Sequence, residues 1–480
     1  MRRTKIVATL GPATTTPESI EDLIRAGVDV VRLNFSHGTH EEHTARAQLV
    51  RELARKVGRV VGILCDLQGP KLRIARFRES KVWLQNGAPF ILDAALPADA
   101  GTSERVGLGY KELIHDVNAG DELWLDDGRI VLGVEAVMGQ EIHTCVLSGG
   151  YLSNNKGLNR RGGGLSAEAL TDKDREDIKA AAKLNADFLA ISFPRTADDV
   201  HEARRLLVEA GGNAAIVAKI ERAETVEPPE RDEIILAADI IMIARGDLGV
   251  EIGDAKLPKV QKSLISRART LNRAVITATQ MMETMIENPI PTRAEVFDVA
   301  NAVIDGSDAV MLSGETATGK HPARVVATMA AICEEAEQSI DIRQVDHRLE
   351  NYFERIDEGI AMATIYAANH MGVQAIAALT ESGSTPLWMS RVRSGIPIYA
   401  LASSDETARR VSLYRGVYPV KLHEPLKDPK MANRQAVELL IEEGIVEAGD
   451  LVIVTKGDLM GTKGGTNQMK ILRVGEHHNG

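Results

Sequence analysis

At 480 residues the chain is too long for one core, and a scale of about 150 residues per domain suggests roughly three. A formal net charge of -11 leaves no basic stripe for a nucleic-acid backbone, and no uncharged apolar run approaches the ~18 residues of a membrane span. Three separated cysteines, Cys65, Cys145 and Cys333, give neither a disulfide framework nor a zinc spacing and suit a reducing cytoplasm, and the start MRRTKIVATLGP has too short an apolar run for a secretory signal.

Short apolar, β-branched runs recur along the chain, each followed by a helix-like stretch. The first three are residues 5–10, 30–35 and 62–65. A segment of different texture follows. Its turn signals are Asn86-Gly87 and Asp126-Asp127-Gly128, the latter joining 122–125 to 129–134 as a hairpin. The rhythm resumes at 188–193, 216–220, 240–244, 274–278 and 309–312. Near-continuous apolar strands are covered on both faces, and eight βα units predict a (β/α)8 barrel with its site at the C-terminal strand ends. The predicted organisation is an α/β barrel (1–70 and 168–342), an inserted β-rich lid (71–167) and a C-terminal doubly wound αβ domain (343–480). The last domain has strand-like runs at 375–379, 398–401, 417–422, 451–454 and 469–474.

Strand alternation singles out polar residues. In VVRLNFSHG, Arg32, Asn34 and Ser36 share one face while Val31, Leu33 and Phe35 take the other. Lys219 and Glu221 likewise share a face in AKIE. A buried Lys–Glu ion pair is the bland reading, but Arg32, Asp66 and Asp247 at neighbouring strand ends argue for a site. Glu221 and Asp247 form a carboxylate pair suited to one Mg²⁺ (or Mn²⁺), with substrate and water oxygens completing the shell. No P-loop or complete dinucleotide fingerprint is present.

Five ordered blocks together carry a family likeness: RLNFSHG from Arg32, the 66–73 block, AKIE, ARGDLG from Ala244, and TRAE…DVAN…SGETA within 281–322. In these the chain resembles the pyruvate kinases. The resemblance implies transfer of a phosphoryl group from phosphoenolpyruvate to ADP, giving pyruvate and ATP, in a cytoplasmic homotetramer. It implies that Arg32 and Lys219 contact the phosphoryl group, and that Glu221 and Asp247 hold Mg²⁺. The backbone of Ala244, Arg245 and Gly246 would seat the substrate carboxylate, with Thr279 near the protonated face, although a threonine after a strand is also a common helix cap. Asn34, His37, Arg73 and Lys156 match nucleotide neighbours. Asn34, Ser36, Asp66 and Leu67 match a monovalent-cation site.

Two departures stand out. Where the family usually reads Asp-Thr-Lys-Gly-Pro-Glu, this chain has Asp66-Leu67-Gln68-Gly69-Pro70-Lys71, and an Asn-Leu-Pro-Gly pattern becomes Asn159-Arg160-Arg161-Gly162. Members with Lys at the Lys71 position tend not to need K⁺, so the expectation is K⁺ independence, a solvated hinge lysine being the alternative. In the C-terminal domain Thr380, Ser382, Gly383, Ser384 and Thr385 follow a strand and read as a phosphate cradle or as an ordinary strand–turn–cap. Lys456 and Lys463 lie in a later loop, Glu381 adds repulsion, and a monophosphate effector (AMP or a sugar phosphate) is expected. A phosphoenolpyruvate- or pyruvate-handling aldolase or lyase, needing no nucleotide lid, and a non-catalytic metabolite sensor are the competing readings.

Overall fold

The computed structural model describes residues 1–70, 72–339, 353–422, 431–458 and 464–476. Eight parallel strands close a barrel: Lys5–Leu10, Val30–Asn34, Gly62–Asp66, Phe188–Ile191, Ala215–Ile220, Ile240–Ala244, Ala274–Ala278 and Ala309–Leu312. Each pairs with its neighbours in chain order, and the first meets the eighth through Lys5 opposite Ala309. The predicted strand 188–193 stops at Ile191, because Phe193 adopts a left-handed φ of 54° and gives its N–H to Glu221.

Alternation sorts the side chains as the pattern requires. Val31, Leu33, Phe35, Ile63, Cys65 and Ile220 pack outward against the helices. Val30, Leu64, Val217, Met242 and Ile276 fill the interior. That interior cluster continues into the C-terminal domain through Ile365, Met389, Val392 and Leu413. The barrel floor is therefore closed by apolar contact together with buried ion pairs such as Arg391–Asp308 and Arg409–Asp187, and a second set of polar residues collects at the mouth, where strand carbonyl ends and loops offer partners.

The inserted segment builds a six-stranded and a two-stranded sheet around its own core, which includes Leu72, Phe90, Leu123, Ile142 and Leu165. Its hairpin joins Glu122–Leu125 to Ile130–Met138, with Asp126, Asp127 and Gly128 successively at φ 51°, 55° and 83°. Arg222, 1% exposed, ties the returning chain to the barrel by donating to the carbonyls of Leu165, Ala167 and Phe193.

The C-terminal sheet places Ala375–Thr380 between Ile398–Ala402 and Leu451–Gly457, with Val417–Lys421 on one edge and the antiparallel Thr466–Arg473 on the other. The helix Ile356–His370 packs toward the barrel and Ala432–Glu442 covers the opposite face, as a doubly wound sheet demands. Its last strand begins at Thr466, earlier than the expected 469, because its residues pair along Leu451–Gly457. Among the described residues no helix is long and apolar enough to cross a membrane.

Candidate active site

A cleft of about 410 Å³ opens between the barrel mouth and the lid. Its lining brings together Arg32, Asn34, Ser36, Asp66, Leu67, Arg73, Lys156, Lys219, Glu221 and Asp247. Strand register accounts for the close set: Asn34 lies opposite Asp66 on adjacent strands, and Lys219 projects from the fifth strand beside them.

The centre is a buried charge lattice. Lys219 Nζ donates to Ser192 Oγ at 2.8 Å and lies 3.0 Å from Glu221 Oε1 and 3.4 Å from Asp66 Oδ1. Arg32 Nε donates to Asp66 Oδ2 at 2.6 Å, and its Nη1 reaches Thr9 Oγ1 at 3.1 Å. Burial works against the Asp66 carboxylate, yet Lys219 and Arg32 hold it below the usual range. Burial also opposes the Lys219 charge, and Asp66 and Glu221 outweigh it, raising the ammonium above its ordinary value. Lys219 stays cationic.

Glu221 behaves differently. Burial, reinforced by the negative charge of Asp247 and opposed by Lys219, pushes its carboxyl up to about 7. Asp247 is raised by burial, with Asp127 and Asp66 adding repulsion. Glu221 Oε2 accepts from Phe193 N–H at 2.7 Å, but Oε1 is buried and lacks an aligned hydrogen bond despite its nearness to Lys219. Two mutually repelling carboxylates with one orphaned oxygen fit a hard divalent cation. Among the described residues no three or more His, Cys, Asp or Glu side chains are grouped to hold a metal, so a two-carboxylate site would leave positions for substrate oxygens.

Thr279 sits outside that lining but next to it. Its Oγ1 accepts from Gly246 N–H at 2.8 Å and donates to Ala278 O at 2.7 Å, tying the ends of the sixth and seventh strands together. No helix begins there, so the capping alternative does not apply. Thr279 and Gln280 instead hold φ of 68° and 55°, a conformation disfavoured for a β-branched residue and kept by the surrounding bonds. Arg245 turns away from the cleft: its guanidinium binds Thr279 O and Asp298, leaving only its backbone for a ligand.

The nucleotide candidates divide. Arg73 and Lys156 line the cleft, Lys156 held 2.6 Å from Asp126 of the lid, whereas His37 does not line it and its carbonyl accepts from His43. Lys71 and Lys463 lie outside the described residues. Around Thr380 the hydroxyls bond locally: Thr380 Oγ1 takes Gly383 N–H, Ser382 meets Ser384, and Thr385 meets Thr466. Glu381 accepts from Ser403.

Sequence reading missed three supports. Ser192 anchors Lys219, and its place in AIS two residues after Ala190 was the available signal. Thr9 braces Arg32. Glu315, 2% exposed within SGETA, accepts from the backbone N–H groups of Met282 and Ser313 and so fixes the loop following Thr279.

Comparison with known proteins gives family-level matches over nearly the whole chain. A family model described as pyruvate kinase, barrel domain matches residues 1–326, and one described as pyruvate kinase, alpha/beta domain matches 358–472. "Pyruvate kinase II" of Salmonella typhimurium is 56% identical over 476 residues, covering 99% of both chains. "Pyruvate kinase" of Haemophilus influenzae is 55% identical over the same extent. That of Staphylococcus aureus (strain MRSA252) is 42% identical over 479 residues, 99% of this chain and 81% of its own.

Proposed function

This chain belongs to the pyruvate kinase family of phosphotransferases, and from that premise we propose how its cleft moves a phosphoryl group from phosphoenolpyruvate to ADP. The observation that carries the reading is Lys219, cationic and held among Ser192, Asp66 and Glu221 beside Arg32. Phosphoryl transfer needs positioning and charge stabilisation more than covalent help. Arg32 and Lys219 grip the phosphoryl oxygens. The terminal oxygen of ADP, steered by Arg73 and Lys156 from the lid side, forms the new P–O bond as the bond to the enol oxygen breaks. Asn34 faces the same cleft as a nucleotide neighbour.

Glu221 and Asp247 would hold Mg²⁺ or Mn²⁺, which supplies positive charge to phosphoryl and carboxylate oxygens. The backbone around Ala244, Arg245 and Gly246 receives the substrate carboxylate at the start of the helix Arg245–Ile252, where Thr279 Oγ1 holds the Gly246 N–H. Thr279, fixed between Gly246 and Ala278, orders the proton donor that converts the enolate to pyruvate. Pyruvate release from phosphoenolpyruvate with and without ADP tests the assignment. Release without ADP at the full rate would mean that water takes the phosphoryl group, and would overturn the kinase reading.

The enzyme works without K⁺. Asp66, the anion of the family's monovalent site, is already flanked by Arg32 and Lys219. Leu67 offers no side-chain oxygen, and its carbonyl accepts from Ser192 Oγ at 2.8 Å. A unit charge ~5–6 Å from the phosphoryl group at an effective dielectric of ~20 is worth roughly 3 kcal/mol, about a hundredfold in rate, so Lys71 can replace a diffusible cation. Wild-type kcat/KM should hardly respond to K⁺, and Lys71→Glu should create a requirement. Near-inactivity of the wild type until K⁺ is added refutes this.

A phosphorylated metabolite, AMP or a sugar monophosphate, activates from the loop at 380–385. That loop lies at the strand end where the sheet order reverses, the usual ligand position in such sheets. Titration of AMP, ribose 5-phosphate, glucose 6-phosphate and fructose 1,6-bisphosphate at subsaturating phosphoenolpyruvate decides the class, and activation by the bisphosphate alone rejects it. The molecule is a cytoplasmic homotetramer: exposed Ile290, Phe297, Ile356 and Tyr366 supply apolar surface for subunit contacts. Sedimentation as a monomer at micromolar concentration counts against that.

A further inference from the structure

A second cavity, about 340 Å³, lies in the seam between the barrel and the C-terminal domain. We propose that it binds a small phosphomonoester, a phosphate dianion on a carbon body of sugar size. The site is distinct from the 380–385 loop and shares no residue with it.

Its barrel wall comes from the helix His40–Val57 and the turn after it. Arg51 and Arg55 stand at i and i+4 on that helix, a like-charge spacing that costs stability in an isolated helix. Gly58 ends the helix at φ 74°, and Arg59, four residues on from Arg55, continues the cationic row into the turn. The opposite wall is Arg409 from the helix Asp405–Val411 and Lys421 at the end of Val417–Lys421. Five cations thus meet one lining carboxylate, Asp405.

Partners outside the cavity neutralise only part of this charge. Arg409 binds Asp187 at 2.7 Å and Arg59 reaches Asp29 at 3.3 Å. Asp405 pairs with Lys421 at 2.8 Å. Among the described residues neither Arg51 nor Arg55 is in an ion pair. Arg51 donates to the carbonyls of Leu184 and Asn185, and its Nε is buried without a partner. Arg55 has only a 3.2 Å bond to Arg51 O. The donor open to a ligand is Arg55, exposed and in no ion pair among the described residues, and a guanidinium is the group that recognises phosphate oxygens in a fork.

The remaining lining fixes the ligand's body. Ala54, Val60, Val61 and Ala408 give a short apolar floor, suited to the C–H face of a sugar. The volume is at the small end for organic ligands, which excludes a large polyanion. An occupant would bridge the two domains directly below Gly62–Asp66, the strand that ends in Asp66.

Calorimetric titration of the full chain tests this, with ribose 5-phosphate, glucose 6-phosphate, inorganic phosphate, glucose and succinate as probes. The wild type should bind at least one sugar phosphate, and Arg55→Glu and Lys421→Glu should each weaken it at least tenfold. Both side chains are exposed, so turnover at saturating substrate should stay unchanged, and Arg55→Gln serves as the milder variant if the reversal fails to fold. Ser384→Asp, in the other loop, should lose only the effector site proposed there and keep the seam site at wild-type affinity. The proposal is overturned by unchanged binding in the Arg55 variants or by loss of all sugar-phosphate binding in Ser384→Asp. Succinate binding tighter than either sugar phosphate, or no binding of any probe up to about 10 mM, also overturns it.

Discussion

The cleft at the barrel mouth and the cavity at the domain seam are close in size and both gather cations, yet they handle charge in opposite ways. In the cleft every buried cation faces a carboxylate: Arg32 faces Asp66, and Lys219 lies between Asp66 and Glu221. In the seam Arg51 and Arg55 face carbonyls and solvent. Burial explains the contrast. Arg32 and Lys219 side chains are only 12% and 13% exposed, where an unpaired ion is very costly, while Arg55 keeps water to screen it. A balanced lattice makes a rigid site with a fixed field. An unbalanced one makes a site whose charge is completed by its ligand.

The largest effect should come from removing the cation aimed at the transferring group. Lys219→Met is expected to lower kcat by about 10³-fold or more, roughly 4 kcal/mol, with KM for phosphoenolpyruvate moving only a few-fold. Steady-state kinetics separate the two constants. A near-normal kcat would remove Lys219 from the chemistry and with it the functional half of the contrast.

Asp66→Asn attacks the balance itself. It leaves Arg32 and Lys219 adjacent without their shared anion, so about 3 kcal/mol of stability should go, as when one partner of a buried pair is deleted. Turnover should fall about a hundredfold. Thermal unfolding that matches the wild type would mean the lattice tolerates an uncompensated cation, against the argument from burial. Thr279→Ala should fall in the same range, about 10- to 100-fold in kcat. Proton exchange into the pyruvate methyl group should suffer more than phosphoryl transfer. Equal losses in both would make Thr279 a loop brace only.

How far the sequence disclosed these regions follows from how each is built. The mouth depends on single strands, so the i, i+2 rule placed Arg32 with Asn34 and Lys219 with Glu221 before any packing was known. The eight barrel runs were legible for the same reason, each being apolar on both faces. Arg245 was not legible in that way. Its motif neighbour Asp247 lines the mouth, but only packing shows the guanidinium turned toward Thr279 and Asp298. Glu315 reads as a surface charge until its two backbone donors are seen. The seam cavity joins 51–61 to 405–421 with no motif at either end, so its arginines pass for ordinary helix surface.

Glu251 offers a pH test of charge left unbalanced under burial. It lies 3% exposed beneath the returning lid segment and accepts from Ala223 N–H, and its own carbonyl takes Gly162 N–H. Burial, with repulsion from Glu224 and Asp247 and a partial offset from Ala223 N–H and Arg222, pushes its carboxyl up to about 8. A raised carboxyl binds its proton more tightly folded than unfolded. Its contribution is therefore full below the unfolded value near 4.5 and is lost as pH rises through about 8. Glu251→Gln, which mimics the protonated form, should flatten the fall in melting temperature over that window. An unaltered slope would show that Glu251 titrates as an ordinary carboxylate.

The smallest effect is the most telling for the seam. Arg55→Gln removes a cation that is in no ion pair among the described residues, feels Asp405 only weakly, and sits four residues from Arg51 and from Arg59. Without a ligand the change relieves repulsion and breaks only the bond to Arg51 O. At low ionic strength the melting temperature should hold or rise by about 1 °C, and added salt should erase the difference by screening. The sign is opposite to that for Asp66→Asn, although both substitutions delete one charge. A drop of several degrees in Arg55→Gln would mean the guanidinium is structurally paired after all. The seam would then be a balanced lattice like the mouth, with no charge left for a ligand to complete.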